Sequence, residues 1–172
     1  MKKNAQLVVY VASDYGFTEG GRYYYNDIFL PKLKRLGFAV IDPWRKAQQE
    51  LFDRASAIDD TEEKRKAFVQ ASRVVGRSRR IDIERCDLLV ACLDGIVPDT
   101  GVAGELSYAA GREKSIEAHR SDLRQSGENI AVPINLQLYD FVRKGGGVIS
   151  ATFSGLEHRL ILRARRLTSR QP

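Results

Sequence analysis

Apolar residues recur along this chain in two patterns. Short, nearly unbroken apolar runs occur at 7–12, 38–41 and 88–93, with weaker ones at 114–119 and 148–150. Runs of this length suit strands that are covered on both faces. Between them the apolar positions fall at helical spacing, as in Tyr25, Ile28, Phe29, Leu33 and Leu36. The spacing predicts strands over 6–12, 38–41, 87–93, 114–119 and 148–150. It predicts helices over 22–36, 45–60, 61–85, 102–111 and 152–167. Pro31 should kink or break the first helix, and Gly37 should end it. Residues 13–21 read as a loop with three glycines, Thr61-Glu62-Glu63 as a helix start, and Ser154 as a cap. The stretch 133–142 fits either a helix or irregular chain. Strands alternating with helices imply an α/β domain with right-handed crossovers. The expectation is a single three-layer, flavodoxin-like domain over 1–172, with a mainly parallel sheet flanked by helices.

The chain has 172 residues, 43% of them hydrophobic, enough for one domain with a real core. No apolar run approaches the roughly 20 residues that span a bilayer. The run after the basic start Met1-Lys2-Lys3 is strand-sized and does not make a signal peptide. Cys86 and Cys92 lie in or beside a buried strand without metal-ligand spacing, which points to a reducing, cytoplasmic setting. The net charge of +6 could attract nucleic acid. The arginines, however, fall on two helical stretches, Arg73 to Arg85 and Arg159 to Arg170, with no aromatic residues interleaved. They read as solvated helix faces, and nucleic acid is not the expected partner.

Three carboxylates, Asp94, Asp99 and Glu105, follow the strand at 87–93. An open α/β sheet forms its ligand crevice beyond the carboxyl ends of its strands. Glu105 should lie about three residues into its helix, where the dipole and free N–H groups keep a carboxylate ionised, as a nucleophile requires. The plainer alternative is that it merely complements the dipole. A capping box would need Ser or Thr at position 102, which holds Val102. Asp99 suits an N-cap; it equally suits a group that holds or protonates a leaving group. Asp94 fits turn chemistry or a hydroxyl ligand. Tyr10 fits a packed aromatic or a hydrogen bond that orients a carboxylate. Gly16, Gly20 and Gly21 match neither the dinucleotide fingerprint nor the P-loop. His119 and His158 have no metal-type partners nearby in sequence, and no cofactor or metal is expected.

In order along the chain, these residues resemble the nucleoside 2-deoxyribosyltransferase family. Val9-Tyr10-Val11-Ala12-Ser13 with Tyr15-Gly16-Phe17 is similar to its first strand and substrate loop. Gly37 to Trp44 resembles its second strand and following turn. Residues 87–110 resemble its central motif, with an acidic residue six positions before the glutamate. His119 to Arg124 and Val132 to Gln137 resemble two later segments. The resemblance implies transfer of 2-deoxyribose between nucleobases through a covalent deoxyribosyl-glutamate. Glu105 would be the nucleophile, Asp99 would contact or help protonate the base, and Tyr10 would position Glu105. Ser13, Gly16, Phe17, Asp94 and Asn135 would bind substrate, with Asn135 reaching a neighbouring subunit's site. The implied partners are nucleosides, nucleobases and further copies of this chain. The alternative is a hydrolase of nucleosides or their 5′-monophosphates using the same Glu105, with Arg22 or Arg124 as phosphate ligands.

Three departures stand out. Family members often carry Asp or Asn eight residues before the aspartate at 87, where this chain has Arg79, with Asp82 within helical reach. The usual Glu-Leu-Gly is Glu105-Leu106-Ser107, which could crowd the helix against the sheet. Residues 45–80 are longer than in compact members, enough for a lid or an interface.

Overall fold

A computed structural model describes residues 6–169. Arg170 and Met1 to Ala5 lie outside them. Five parallel strands, β1 (Val8–Ala12), β2 (Ala39–Ile41), β3 (Leu88–Cys92), β4 (Ser115–His119) and β5 (Ile149–Ser150), form one sheet in the order β2-β1-β3-β4-β5. The chain is α/β and has the strand order of the flavodoxin-like class. The first crossover carries the chain outward from β1 to β2, and the next brings it back across to β3. The carboxyl ends of β1 and β3 therefore flank the point where the winding reverses.

Side-chain alternation along the strands feeds two cores. Tyr10, Ala12, Leu89, Ala91 and Ile116 face one side, packed with Ile83, Val102, Leu106 and Val142. Val9, Val11, Leu88 and Val90 face the other, packed with Phe29, Leu33, Leu156 and Leu160. Tyr10 thus points to the layer of α4 (Thr61–Arg85), α5 (Thr100–Gly111) and α6 (Leu136–Lys144). The opposite layer holds α2 (Leu30–Arg35) and α7 (Phe153–Thr168).

Several boundaries differ from the expectation for local reasons. Residues 13–21 are not an open loop. They hold a 3₁₀ turn, Tyr15–Phe17, and the start of α1 (Glu19–Tyr23), where Thr18 Oγ1 accepts the Gly21 N–H at 3.0 Å. The break expected at Pro31 takes the form of a wide π-helical turn, Tyr24–Phe29, just before it. The Leu30 N–H reaches back to the Tyr25 carbonyl, which widens the coil where a proline ring would otherwise press on the preceding turn. Gly37, at φ +89°, ends α2 as expected. Helix α3 is Lys46–Ser56. Asp60, one residue ahead of the expected start, caps α4 through the Glu63 N–H at 2.8 Å. Thr152 rather than Ser154 caps α7, accepting the Gly155 N–H at 3.1 Å. The undecided stretch near 133–142 resolves into α6, capped by Asn135.

Candidate active site

Helix α5 follows β3 and fixes two of the three carboxylates. Asp99 is its N-cap, with Oδ1 accepting the N–H groups of Gly101 (2.8 Å) and Val102 (3.0 Å). The helix starts at Thr100, so Glu105 lies in its second turn. This corrects the expected placement of Glu105. The free N–H groups of the first turn go to Asp99, and the dipole is weak one turn further in.

What surrounds Glu105 is a side-chain environment. Its side chain is only 11% exposed, and Arg79 Nη1, from α4, stands 3.2 Å from Oε1. The Tyr10 hydroxyl approaches from β1. Burial pushes the Glu105 carboxyl above its ordinary value, opposed by the Arg79 charge and the Tyr10 hydroxyl. Burial, then the charge of Glu105, pushes the Tyr10 phenol well up. The Tyr10 oxygen is buried and has no hydrogen-bond partner of ordinary geometry. Glu105 is neither turned into the packed core nor sealed off. It lines a cavity of about 260 Å³ between α4 and α5, with Gly76, Arg79, Ile83, Gly104 and Tyr108.

Asp94 lies in a different environment. It accepts hydrogen bonds from the Tyr15 hydroxyl (2.5 Å), the Ser121 N–H (2.6 Å), the Asp122 N–H (2.9 Å) and the Ser121 hydroxyl (3.0 Å). Burial alone would raise its carboxyl, but these donors together hold it below the ordinary value. His119 Nδ1 stands 3.4 Å from the Tyr15 hydroxyl, and burial lowers the proton affinity of that imidazole. Ser13 joins the same cluster: its Oγ accepts the Tyr15 N–H (3.1 Å) and its carbonyl accepts Trp44 Nε1–H (3.0 Å). Gly16 packs directly under the Trp44 indole, where any Cβ would collide with the ring. Phe17 meets that indole edge-on, at 4.7 Å between centroids.

Asn135 is not brought to this group. It is exposed, its Oδ1 accepts the Gln137 N–H (3.0 Å), and its amide donates to Glu128 (2.7 Å). Asp82 does not stand in for the missing acid, because its carboxylate is paired with Arg45. Ser107 relieves the crowding expected of it by turning its hydroxyl back to the Ala103 carbonyl at 2.7 Å.

Two polar side chains beside the site were not singled out in the sequence. Gln48 is 91% buried and neither end of its carboxamide has a partner. It lines a second, smaller pocket with Trp44, Phe52 and Arg79. Gln48, Leu51, Phe52 and Ala55 share one face of α3 at i, i+3, i+4 and i+7. A polar residue inside an apolar stripe was the signal that could have found it. Asp14 precedes the 3₁₀ turn without capping it, and Oδ1 is buried and unpartnered. Burial, then the charges of Asp99 and Asp94, pushes its carboxyl up. The sequence carries no comparable signal for Asp14.

A family model described as nucleoside 2-deoxyribosyltransferase matches residues 9–137. Among solved structures, the chain is similar to a conserved protein from Enterococcus faecalis V583 (TM-score 0.62, 21% identity, 94% of this chain and 99% of that one). It is similar to a 2-desoxiribosyltransferase from Leishmania mexicana (TM-score 0.56, 21% identity, 96% and 99%). It is also similar to a 2-deoxyribosyltransferase from the psychrotolerant bacterium Bacillus psychrosaccharolyticus (TM-score 0.54, 20% identity, 87% and 90%). At such identities the likeness is one of fold. A search of curated protein sequences gives no match.

Proposed function

The chain belongs to the nucleoside 2-deoxyribosyltransferase family, and from that premise we propose that it moves 2-deoxyribose between nucleobases through a covalent intermediate on Glu105. The observation that carries this reading is a buried carboxylate, faced by a buried tyrosine hydroxyl, that opens onto a cavity. One Glu105 oxygen attacks C1′ of the nucleoside as the C1′–N bond breaks, and the bonding pair leaves with the base. The sugar passes through an oxocarbenium-like state that the adjacent carboxylate stabilises. A nitrogen of a second base then attacks C1′ and releases Glu105. Splitting one hard displacement into two easier ones is the gain of covalent catalysis. The Tyr10 hydroxyl positions the attacking oxygen. Asp99, whose Oδ2 has no partner among the described residues, contacts the base and assists its protonation. Ser13, Gly16, Phe17 and Asp94 shape the substrate loop. Asn135, exposed and apart from Glu105, serves the site of a neighbouring subunit in a homo-oligomer.

A free nucleoside suits this site better than a 5′-monophosphate. The N–H groups that open α5 would bind a phosphate, but the Asp99 carboxylate already holds them. Hydrolysis is the second reading. Gly76, Arg80, Gly101 and Gly104 around the cavity are exposed, which lets water reach an isolated subunit. No described helix is long and apolar enough to cross a membrane. The two buried, unpaired cysteines fit the reducing cytoplasm, where nucleosides are salvaged.

The test is to incubate the protein with 2′-deoxycytidine and hypoxanthine and to separate the products by chromatography. New 2′-deoxyinosine is the expected result. Free cytosine without it would replace transfer by hydrolysis, and an unchanged mixture would overturn the reading. Size-exclusion chromatography should show a species larger than a monomer.

A further inference from the structure

A cavity of about 380 Å³ lies at the β5 edge of the sheet and shares no residue with the cavity of Glu105. That volume is in the range of small-molecule sites. Arg120 directly follows β4 and Ala151 directly follows β5. Both line the cavity, which therefore sits beyond the carboxyl ends of these strands, where open α/β sheets bind ligands. Three arginines, Arg120, Arg124 and Arg143, face it against one acid, Asp122, for a net charge of +2. The Asp122 carboxylate is already held by Arg124, whose Nε stands 2.9 Å from Oδ1. Arg120 is only 3% exposed. Its Nη atoms are committed to the carbonyls of Leu93, Gly95 and Arg124, while its buried Nε has no partner. Buried polar groups in folded proteins are nearly always paired. The remaining wall is mostly apolar, with Pro133, Tyr139 and Ile149. Tyr139 and Arg143 are four residues apart and share one face of α6. No strand covers the outer side of β5. The Val148 and Ser150 carbonyls accept from Ala118 and Arg120 of the inner side. Alternation then turns the Ile149 N–H and C=O to the open edge.

We infer that this cavity is a binding site for a nucleoside 5′-monophosphate, separate from the site of Glu105. A phosphate monoester carries a charge near −2 at neutral pH, which matches the lining. Guanidinium groups grip phosphate oxygens in pairs, and Arg143 and the Nε of Arg120 are the donors this cavity offers. The ligand also needs a flat, apolar body to cover the uncharged wall. A nucleobase supplies it, with the Tyr139 ring as its packing surface. Every nucleobase sets a donor beside an acceptor on its pairing edge. The Ile149 peptide edge presents one of each to meet them. Inorganic phosphate brings the charge without the ring, so it satisfies only half of the cavity. The two cavities thus divide their ligands by charge. The one at Glu105 suits a neutral nucleoside, and the one at β5 suits its phosphorylated form.

The experiment is calorimetric titration with adenosine 5′-monophosphate and with inorganic phosphate. It uses the wild type, Arg143→Glu, Arg143→Gln, Tyr139→Leu and Glu105→Ala, each checked for its fold by circular dichroism. The wild type should bind the monophosphate on the order of tenfold more tightly than inorganic phosphate. Arg143→Glu should weaken the monophosphate by about tenfold or more, the size of a lost charge-assisted contact. Arg143→Gln, the milder change, should fall between it and the wild type. Tyr139→Leu should weaken the monophosphate and leave inorganic phosphate unchanged, because only the ring is lost. Glu105→Ala should bind the monophosphate as the wild type does. No heat from the monophosphate at millimolar concentration would overturn the inference. Equal binding of monophosphate and inorganic phosphate would overturn the nucleoside part of it. Binding that is lost in Glu105→Ala and kept in both Arg143 variants would place the ligand at the other cavity and overturn the assignment. Deoxyribosyl transfer stands or falls separately, on the nucleoside assay above.

Discussion

Asp94 and Glu105 stand eleven positions apart in one strand–loop–helix unit, yet the fold treats them in opposite ways. Asp94 collects four donors from three residues, and its carboxyl is held below the ordinary value. Glu105 has one arginine contact and a tyrosine hydroxyl, and its carboxyl is pushed above it. A carboxylate whose lone pairs are filled has little left for chemistry, and it ties the segments that supply its donors. A buried carboxylate with few donors is costly to keep charged, which makes it reactive toward an electron-poor carbon. The difference teaches where to look: under-bonded groups mark the reacting region, and saturated groups mark its frame.

The contrast can be broken at either carboxylate. Glu105→Ala should lower kcat on the order of 10⁴-fold or more, as loss of a nucleophile does, while circular dichroism stays that of the wild type. Activity near the wild-type level would remove the mechanism. Asp94→Ala should act on stability, costing about 2 kcal/mol and lowering the melting temperature by roughly 4–8 °C. Its sign with pH follows from the lowered carboxyl. The contribution is present above the ordinary unfolded value and is lost as pH falls through the folded one. The melting difference between wild type and variant should therefore shrink in acid, and a constant difference would contradict the account. The smallest effect is expected at Tyr10→Phe, about fivefold in rate. Glu105 must be ionised to attack, so the acid limb of kcat/KM should lie above the ordinary glutamate range. Removing the hydroxyl that lowers it should move that limb higher still. A limb that stays in place would show that the hydroxyl does not act on Glu105.

Much of the frame was legible in the sequence. The three strongest apolar runs became β1, β2 and β3, because strands of a parallel sheet need side chains that can face a helix on either side. Pro31 and Gly37 punctuated α2 because their backbones leave few choices. Asp99 was legible as a cap for the same local reason. Caps set by tertiary entry of the chain were not: Thr152 took the place expected of Ser154. The position of Glu105 in its helix was misread because Thr100 and Gly101 carry no apolar signal, so the start at Thr100 was invisible to periodicity. Arg79 could be seen as a departure, but its reach to Glu105 depends on how α4 lies along α5. Gln48 needed its helical face to be read together with its burial. Asp14 gave no local signal.

Helix α4 has 25 residues and is about 37 Å long, twice the reach of the five-residue strands beneath it. None of its residues 61–70 is fully buried; its anchors, Ala71, Val75, Asp82 and Ile83, are all further in. Its outer half leans on α3 instead, where the rings of Phe52 and Phe68 stack at 6.4 Å between centroids. Arg79 lies on the inner half, about 27 Å from the first residue of the helix. One unbroken helix therefore carries both the support that α3 gives and the guanidinium that faces Glu105, so the two cannot be placed independently.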